Sequence, residues 1–379
     1  MNNSLAPAYK KLFGEYWVLW FEVSNSYSII EPKFKLLLES YLESNSKADF
    51  LDTISNDMSV SESNSVSETL FSYLNSCNEP YNSANIPSTV LNTSQRNISE
   101  TYTFEDKSIQ INYDSELVKK TVHPALANYC KASSNNNILA TFDLFLENDE
   151  LLLFQDEKLI SSASKHSYHI IQGKFIMHLL CTLYNNLETD WIGTFHGSTI
   201  TDGNLSILFI GDSGKGKSTL CALLVANGFQ LLADDVSPLL SKDQHIYYNP
   251  SAISIKKGAF ELLEPLVNDF ENLPIVKFNK TKGDLKYMPC VKPNKDHYPC
   301  TAIISVNYKP NSKTKLEKVS VKTILETLIP DSWLSPNPLH ANQFLDWLGQ
   351  LEFYQLTYSD TQSVTTEIAK LFKQLNKKL

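Results

Sequence analysis

Residues 211–218 read Gly-Asp-Ser-Gly-Lys-Gly-Lys-Ser, a full match to G-x-x-x-x-G-K-[S/T]. A loop of this kind works only between a strand and a helix, so it dictates the local topology on both sides. The apolar run Leu205–Ile210 precedes it, and a helical stretch follows from Thr219 to Val225, ended by Asn227-Gly228, where glycine suits a left-handed terminal position. The glycines let backbone amides turn inward to make a concavity for anions, and the helix N-terminus adds its dipole. Gly211, Asp212, Ser213, Gly214, Lys215, Gly216, Lys217, Ser218 and Thr219 are therefore the expected nucleotide-binding residues. Lys217 is positioned to reach the β- and γ-phosphates, and the Ser218 hydroxyl to ligate Mg²⁺. The fold class that follows is an α/β phosphate-loop core.

Downstream, 229–236 (Phe-Gln-Leu-Leu-Ala-Asp-Asp-Val) reads as one strand ending in adjacent carboxylates, Asp234 and Asp235. Adjacent strand residues point to opposite faces, so the two are expected to divide two roles, metal binding and proton acceptance. Upstream, His196-Gly197 closes the expected strand Trp191–Phe195, before a hairpin turn at Asp202-Gly203-Asn204. A lone histidine is more often a satisfied surface or core group than a catalyst. The chain lacks an L-S-G-G-Q stretch, the H-R-D and D-F-G elements of protein kinases and an N-K-x-D base-recognition motif.

Composition narrows the chemistry further. The chain has 379 residues, two or three domains' worth. Its net charge of −9 argues against a nucleic-acid partner. Arg96 is the only arginine, which nearly excludes an arginine finger from this chain. Apolar runs fall far short of the ~20 residues of a membrane span, and no secretory signal opens the sequence. The expectation is a cytoplasmic protein with no membrane partner. The six cysteines are scattered, without zinc or disulfide spacing.

Three blocks separate by pattern. Residues 1–84 read as a two-stranded ribbon (Tyr16–Val23 and Tyr27–Ile30) followed by three short helices: one after Pro32, one from Lys47 to Met58, and one opened by the capping-box pattern Ser65-Val-Ser-Glu68. Residues 85–98 read as a linker rich in Asn, Ser and Pro. The third block, 99–379, divides into a β-rich part over 99–190, closed by a helix near 167–187, and the phosphate-loop part over 191–379.

Taken in order, His196-Gly197, the loop and Leu232-Ala-Asp-Asp235 resemble the catalytic domain of HPr kinase/phosphorylase, and more closely the related kinases of lasso-peptide precursors. Residues 252–258 (Ala-Ile-Ser-Ile-Lys-Lys-Gly) are similar to that family's Lys-Gly segment, and 301–308 with 316–328 to its later strand, loop and helix. The resemblance implies a core of the HPr-kinase and PEP-carboxykinase type that uses ATP and Mg²⁺. It implies Asp235 as the general base toward a substrate serine, Asp234 as a metal-side carboxylate, and His196 as an active-site residue. It also implies self-assembly into a homo-oligomer. With no arginine at hand, further positive charge falls to Lys215, Lys256 or Lys257, with Lys256 the preferred choice.

The G-R-G-L-G-type segment of true HPr kinases and its metal-binding glutamate have no counterpart here, which argues against HPr as substrate and against reverse phosphorylase activity. The 1–84 block resembles PqqD-like, winged-helix-like peptide-recognition domains, which bind a leader peptide as an added strand. The expected function is therefore transfer of the γ-phosphoryl group to a serine of a peptide or small protein, such as a ribosomally made precursor, recruited on the 16–30 ribbon. The alternatives are a nucleotide-dependent peptide-binding scaffold and a small-molecule kinase.

Overall fold

In a computed structural model that describes residues 3–55, 58–80, 89–131, 137–277 and 283–378, the chain is a mixed α/β protein whose strands form four sheets. The central one carries the phosphate loop. Its strands run in the order Gln230–Ala233, Ser198–Thr201, Ser206–Ile210, His297–Tyr308, His245–Tyr247, Ser237–Leu240, Trp191–Phe195 and Trp333–Leu334. Glu352–Tyr358 also pairs with His297–Tyr308, in parallel, and Lys315–Lys318 pairs with Glu352–Tyr358. Ser206–Ile210 lies parallel to His297–Tyr308, and all five of its residues are buried, as its unbroken apolar pattern requires. The loop helix, Lys217–Ala226, packs between this sheet and the C-terminal helix Thr361–Asn376, in a core that includes Leu220, Leu224, Ile368 and Phe372.

The expected strand over 229–236 is shorter: it runs Gln230–Ala233 and stops before the two carboxylates, and a separate strand, Ser237–Leu240, begins after them. Gln230–Ala233 pairs with Ser198–Thr201, and Ser237–Leu240 pairs with Trp191–Phe195. The segments 191–201 and 230–240 thus form one antiparallel pair with a corner in each partner, at His196-Gly197 and at Asp234-Asp235-Val236. Close approach makes the first corner: a Cβ on Gly197 would stand 2.7 Å from the Phe209 carbonyl oxygen. The second is a three-residue turn in which the Val236 amide donates to the Asp234 carbonyl at 2.8 Å, with Asp235 at φ 67°.

Residues 98–164 form a five-stranded sheet in the order Ile98–Phe104, Lys107–Tyr113, Ile138–Glu147, Glu150–Gln155 and Lys158–Ser164. Helix Tyr168–Tyr184 covers it through Ile171, Phe175 and Leu179. Arg96 is committed here: its guanidinium makes two bonds to the fully buried Asp143, at 2.7 and 3.0 Å.

At the N-terminus the expected two-stranded ribbon is a three-stranded sheet. A further strand, Tyr9–Phe13, pairs with Tyr16–Phe21, which is therefore central, and Ser26–Ile30 lies on its other side. The run Tyr16–Phe21 is apolar throughout because both faces are covered. Leu19 and Phe21 pack on the sheet's own helices, while Tyr16 and Val18 pack toward Phe344, Trp347 and Ile324. The three helices are Pro32–Glu43, Lys47–Ile54 and Val60–Cys77. The last starts earlier than the Ser65 pattern implies: Ser59 and Glu62 make the reciprocal cap, and Ser65 and Glu68 lie inside the helix. The expected linker falls partly on residues 81–88, outside those described. Among the described residues, no helix is long and apolar enough to cross a membrane.

Candidate functional site

The loop wraps the N-terminus of helix Lys217–Ala226 with Gly211, Gly214 and Gly216 all at positive φ. Gly216 is the helix N-cap at φ 92°, and a Cβ there would stand 2.7 Å from the Tyr358 hydroxyl oxygen and 3.0 Å from Tyr308 Cβ. Tyr358 donates to the Gly216 carbonyl at 3.1 Å, and the Tyr308 amide donates to the Lys215 carbonyl at 3.0 Å. These two tyrosines, packed edge to face at the ends of the parallel strands, hold the loop from below. Asp212, Ser213 and Lys215 face solvent. The Lys217 ammonium is buried and donates to the Gly211 carbonyl. Burial pushes its pKa down, against the opposing pull of Asp235 and Asp234.

The two aspartates lie in opposite environments, but strand alternation is not the reason: the strand ends at Ala233, and the turn at Asp234-Asp235-Val236 separates them. Asp234 is buried, and its Oδ1 accepts from Ser198 Oγ at 2.6 Å and from Ser218 Oγ at 3.3 Å. Its Oδ2 accepts from the Ser254 amide at 3.1 Å. Burial, reinforced by the charge of Asp235, raises the Asp234 carboxyl to about 6. Asp235 projects outward, with its Oδ1 3.3 Å from His196 Nδ1. The His196 amide donates to Ser332 Oγ at 3.3 Å, which fixes the corner against the segment after helix Val321–Leu328.

Lys256 stands at the end of strand Ile253–Lys256, and its Nζ donates to Ser213 Oγ of the loop at 3.0 Å. Lys257 turns elsewhere, to Asp284 at 3.7 Å. The fold thus gathers His196, Lys217, Ser218, Asp234, Asp235 and Lys256 around one loop.

Several contributors carry no sequence signal of their own. Ser198 and Ser254 hold Asp234, and Tyr308 and Tyr358 support the loop. Tyr287, paired with Ser254 across the small sheet, is raised in pKa by burial, with further contributions from the charges of Asp235, Tyr168 and Asp234. Only the adjacency of Ser198 to His196-Gly197 offered a hint.

A hydroxyl and a carboxylate beneath a glycine-lined anion cradle form a hard-oxygen donor set that suits Mg²⁺. Ser218 and Asp234 are the residues that would hold it, and the loop amides with Lys217 those that would hold a polyphosphate.

No protein-family model matches the chain, and no curated protein matches it. Among solved structures, it is similar to the Hpr(Ser) kinase/phosphatase from Coxiella burnetii, at 12% identity over 48% of this chain and 92% of that one, with a TM-score of 0.23.

Proposed function

We propose that this protein is an ATP- and Mg²⁺-dependent kinase that phosphorylates a serine hydroxyl of a peptide or small protein. The observation that carries the reading is the division within the aspartate pair: Asp234 is buried against Ser218, whereas Asp235 is exposed beside the same loop with a histidine at its carboxylate. Nucleotide binding alone does not require a second, outward carboxylate.

When bound, Mg²⁺ supplies charge neutralisation between the phosphates and the site. The chain supplies the rest. The loop amides and Lys217 orient the γ-phosphoryl group, and Asp235 accepts the proton of the substrate hydroxyl. The new bond joins that oxygen to the γ-phosphorus, and the bond to the β–γ bridging oxygen breaks with its electron pair leaving on ADP. His196 orients the Asp235 carboxylate. Lys256, already at Ser213, brings a positive charge to the loop's outer rim.

Substrate recruitment is assigned to the N-terminal sheet. Because Tyr16–Phe21 is paired on both sides, strand addition is confined to the outer edges of the sheet, Tyr9–Phe13 and Ser26–Ile30, and we assign it to Ser26–Ile30, the edge that lies within the 16–30 ribbon. The test is a mass-spectrometric transfer assay with ATP, Mg²⁺ and peptides encoded beside the gene. The expected result is one added phosphate, lost in Asp235→Asn while nucleotide binding is retained. Nucleotide binding with no transfer to any such peptide would leave a binding scaffold or a small-molecule kinase instead.

A further inference from the structure

Away from the phosphate loop, Asp243, His245 and His297 bring three potential ligand atoms within 4.8 Å of one another. They lie at the opposite end of the long strand His297–Tyr308 from the loop, roughly 36 Å of strand away at ~3.3 Å per residue. Strand pairing assembles the group: Tyr247 is opposite His297 and His245 is opposite Pro299, so both imidazoles stand on one face while Ile246 points into the core.

The local geometry is that of a tridentate site. His245 Nδ1 and His297 Nδ1 are 2.8 Å apart, and Asp243 Oδ2 is 3.6 Å from His297 Nδ1. Asp243 is oriented from two sides: Tyr247 Oη donates to Oδ2 at 2.7 Å, and the His245 amide donates to Oδ1 at 3.0 Å. The Tyr247 ring stacks on the His297 ring at 4.5 Å, which restrains that imidazole. Bonds to oriented carboxylates and rings are what support shells of metal sites provide. The His297 side chain remains 38% exposed and that of Asp243 24%, so the cluster opens to solvent on one side.

We propose that Asp243, His245 and His297 form a binding site for a divalent transition-metal ion of the zinc type, with its remaining coordination position open to water or an external donor. Two imidazole nitrogens and one carboxylate oxygen match that class and not Mg²⁺ or Ca²⁺, which take oxygen ligands. Tetrahedral Zn–N bonds of about 2.0–2.1 Å require the two nitrogens to stand roughly 3.3 Å apart, so a small rotation of one ring admits the ion. Without an ion the Nδ1 pair needs one shared proton, since two bare lone pairs at 2.8 Å repel. The site is independent of the nucleotide reading, because none of its residues belongs to that machinery.

The test is calorimetric titration of the chelator-treated full chain with Zn²⁺ in excess Mg²⁺, repeated with Co²⁺ followed by its visible absorption. The expected result is uptake of one equivalent, unchanged in Asp234→Asn and lost in His297→Gln and in Asp243→Asn. Tyr247→Phe should weaken binding about tenfold through the unsupported carboxylate. Circular dichroism of each variant separates lost binding from lost fold, and Asp243→Asn, at a half-exposed turn, keeps the side-chain shape. Absence of stoichiometric uptake by the unaltered chain, or equal uptake by His297→Gln and Asp243→Asn, overturns the proposal and leaves a plain Asp–His–His hydrogen-bond chain.

Discussion

His196 Nδ1 lies 3.3 Å from Asp235 Oδ1, two side chains brought together from opposite corners of one bent strand pair. Neither residue belongs to a regular strand at that point. The corner frees both side chains from strict alternation and turns them toward the loop, and Asp235 holds φ 67° to do so. A non-glycine residue in that region is strained, by on the order of 1–3 kcal/mol.

If His196 orients Asp235, His196→Gln should slow phosphoryl transfer about tenfold, the value of one lost charge-assisted hydrogen bond. Nucleotide affinity should stay the same, because the partners of His196 are Asp235 and Ser332 rather than the loop's anion-binding groups. Steady-state kinetics beside a nucleotide-binding isotherm reads both, and a variant with wild-type turnover would remove the histidine from the mechanism.

Asp234 gives a prediction about stability. Its folded-state carboxyl titrates at about 6, above its ordinary value of 3.8. The folded state therefore binds the extra proton, and stability declines as pH rises from about 4 to about 6, then levels off. The shift corresponds to roughly 3 kcal/mol at most. Asp234→Asn removes that loss, so the ligand-free variant should melt above the parent at pH 7.5, with the difference vanishing near pH 4. The same variant should lose Mg²⁺-dependent nucleotide binding. Thermal unfolding across pH checks the first part, and a melting difference that grows toward acid would contradict the burial argument.

Gly216 and Tyr358 form a second testable pair. An alanine at φ 92° costs ~1–2 kcal/mol for its backbone alone, and its Cβ would meet the Tyr358 hydroxyl at 2.7 Å. Gly216→Ala should therefore lower the melting temperature and weaken nucleotide binding. Combined with Tyr358→Phe, part of the lost stability should return, giving a coupling a double-mutant cycle can measure. Strict additivity would mean that the two do not press on each other.

Much of the loop and its flanks was legible in the sequence because the motif demands a strand before it and a helix after it. Ser206–Ile210 and Lys217–Ala226 fall within a residue or two of expectation. The carboxylate pair was visible, but the corner that separates its members was not, since strand pairing of 191–201 with 230–240 joins residues some 40 positions apart. Tyr9–Phe13 carries a weak sequence signal because its alternation is only half-buried, with Lys10 and the apolar Leu12 on the exposed face and Lys11 on the other. Ser198 and Ser254 acquire a role only from Asp234, and no spacing rule connects them. Asp243, His245 and His297 were equally silent: two strands 52 residues apart carry the histidines.

The N-terminal sheet offers the last prediction. Tyr27 meets Phe344 edge to face at 5.2 Å, and Phe344 in turn packs on Phe195, the residue before His196. Lys11 also bridges to Asp346 at 2.6 Å, but that pair is half-exposed to solvent. Removing a fully buried phenyl group costs ~3–5 kcal/mol, whereas an ion pair open to solvent on one side contributes on the order of 1 kcal/mol. Phe344→Ala should thus loosen the strands over 9–30 from their docking face while Lys11→Ala leaves them protected. Hydrogen exchange followed by mass spectrometry distinguishes the outcomes. Faster exchange in 9–30 with the sheet over 98–164 unchanged would show that apolar contact through Phe344 holds the two parts together. Equal loss in Lys11→Ala would shift that role to the ion pair.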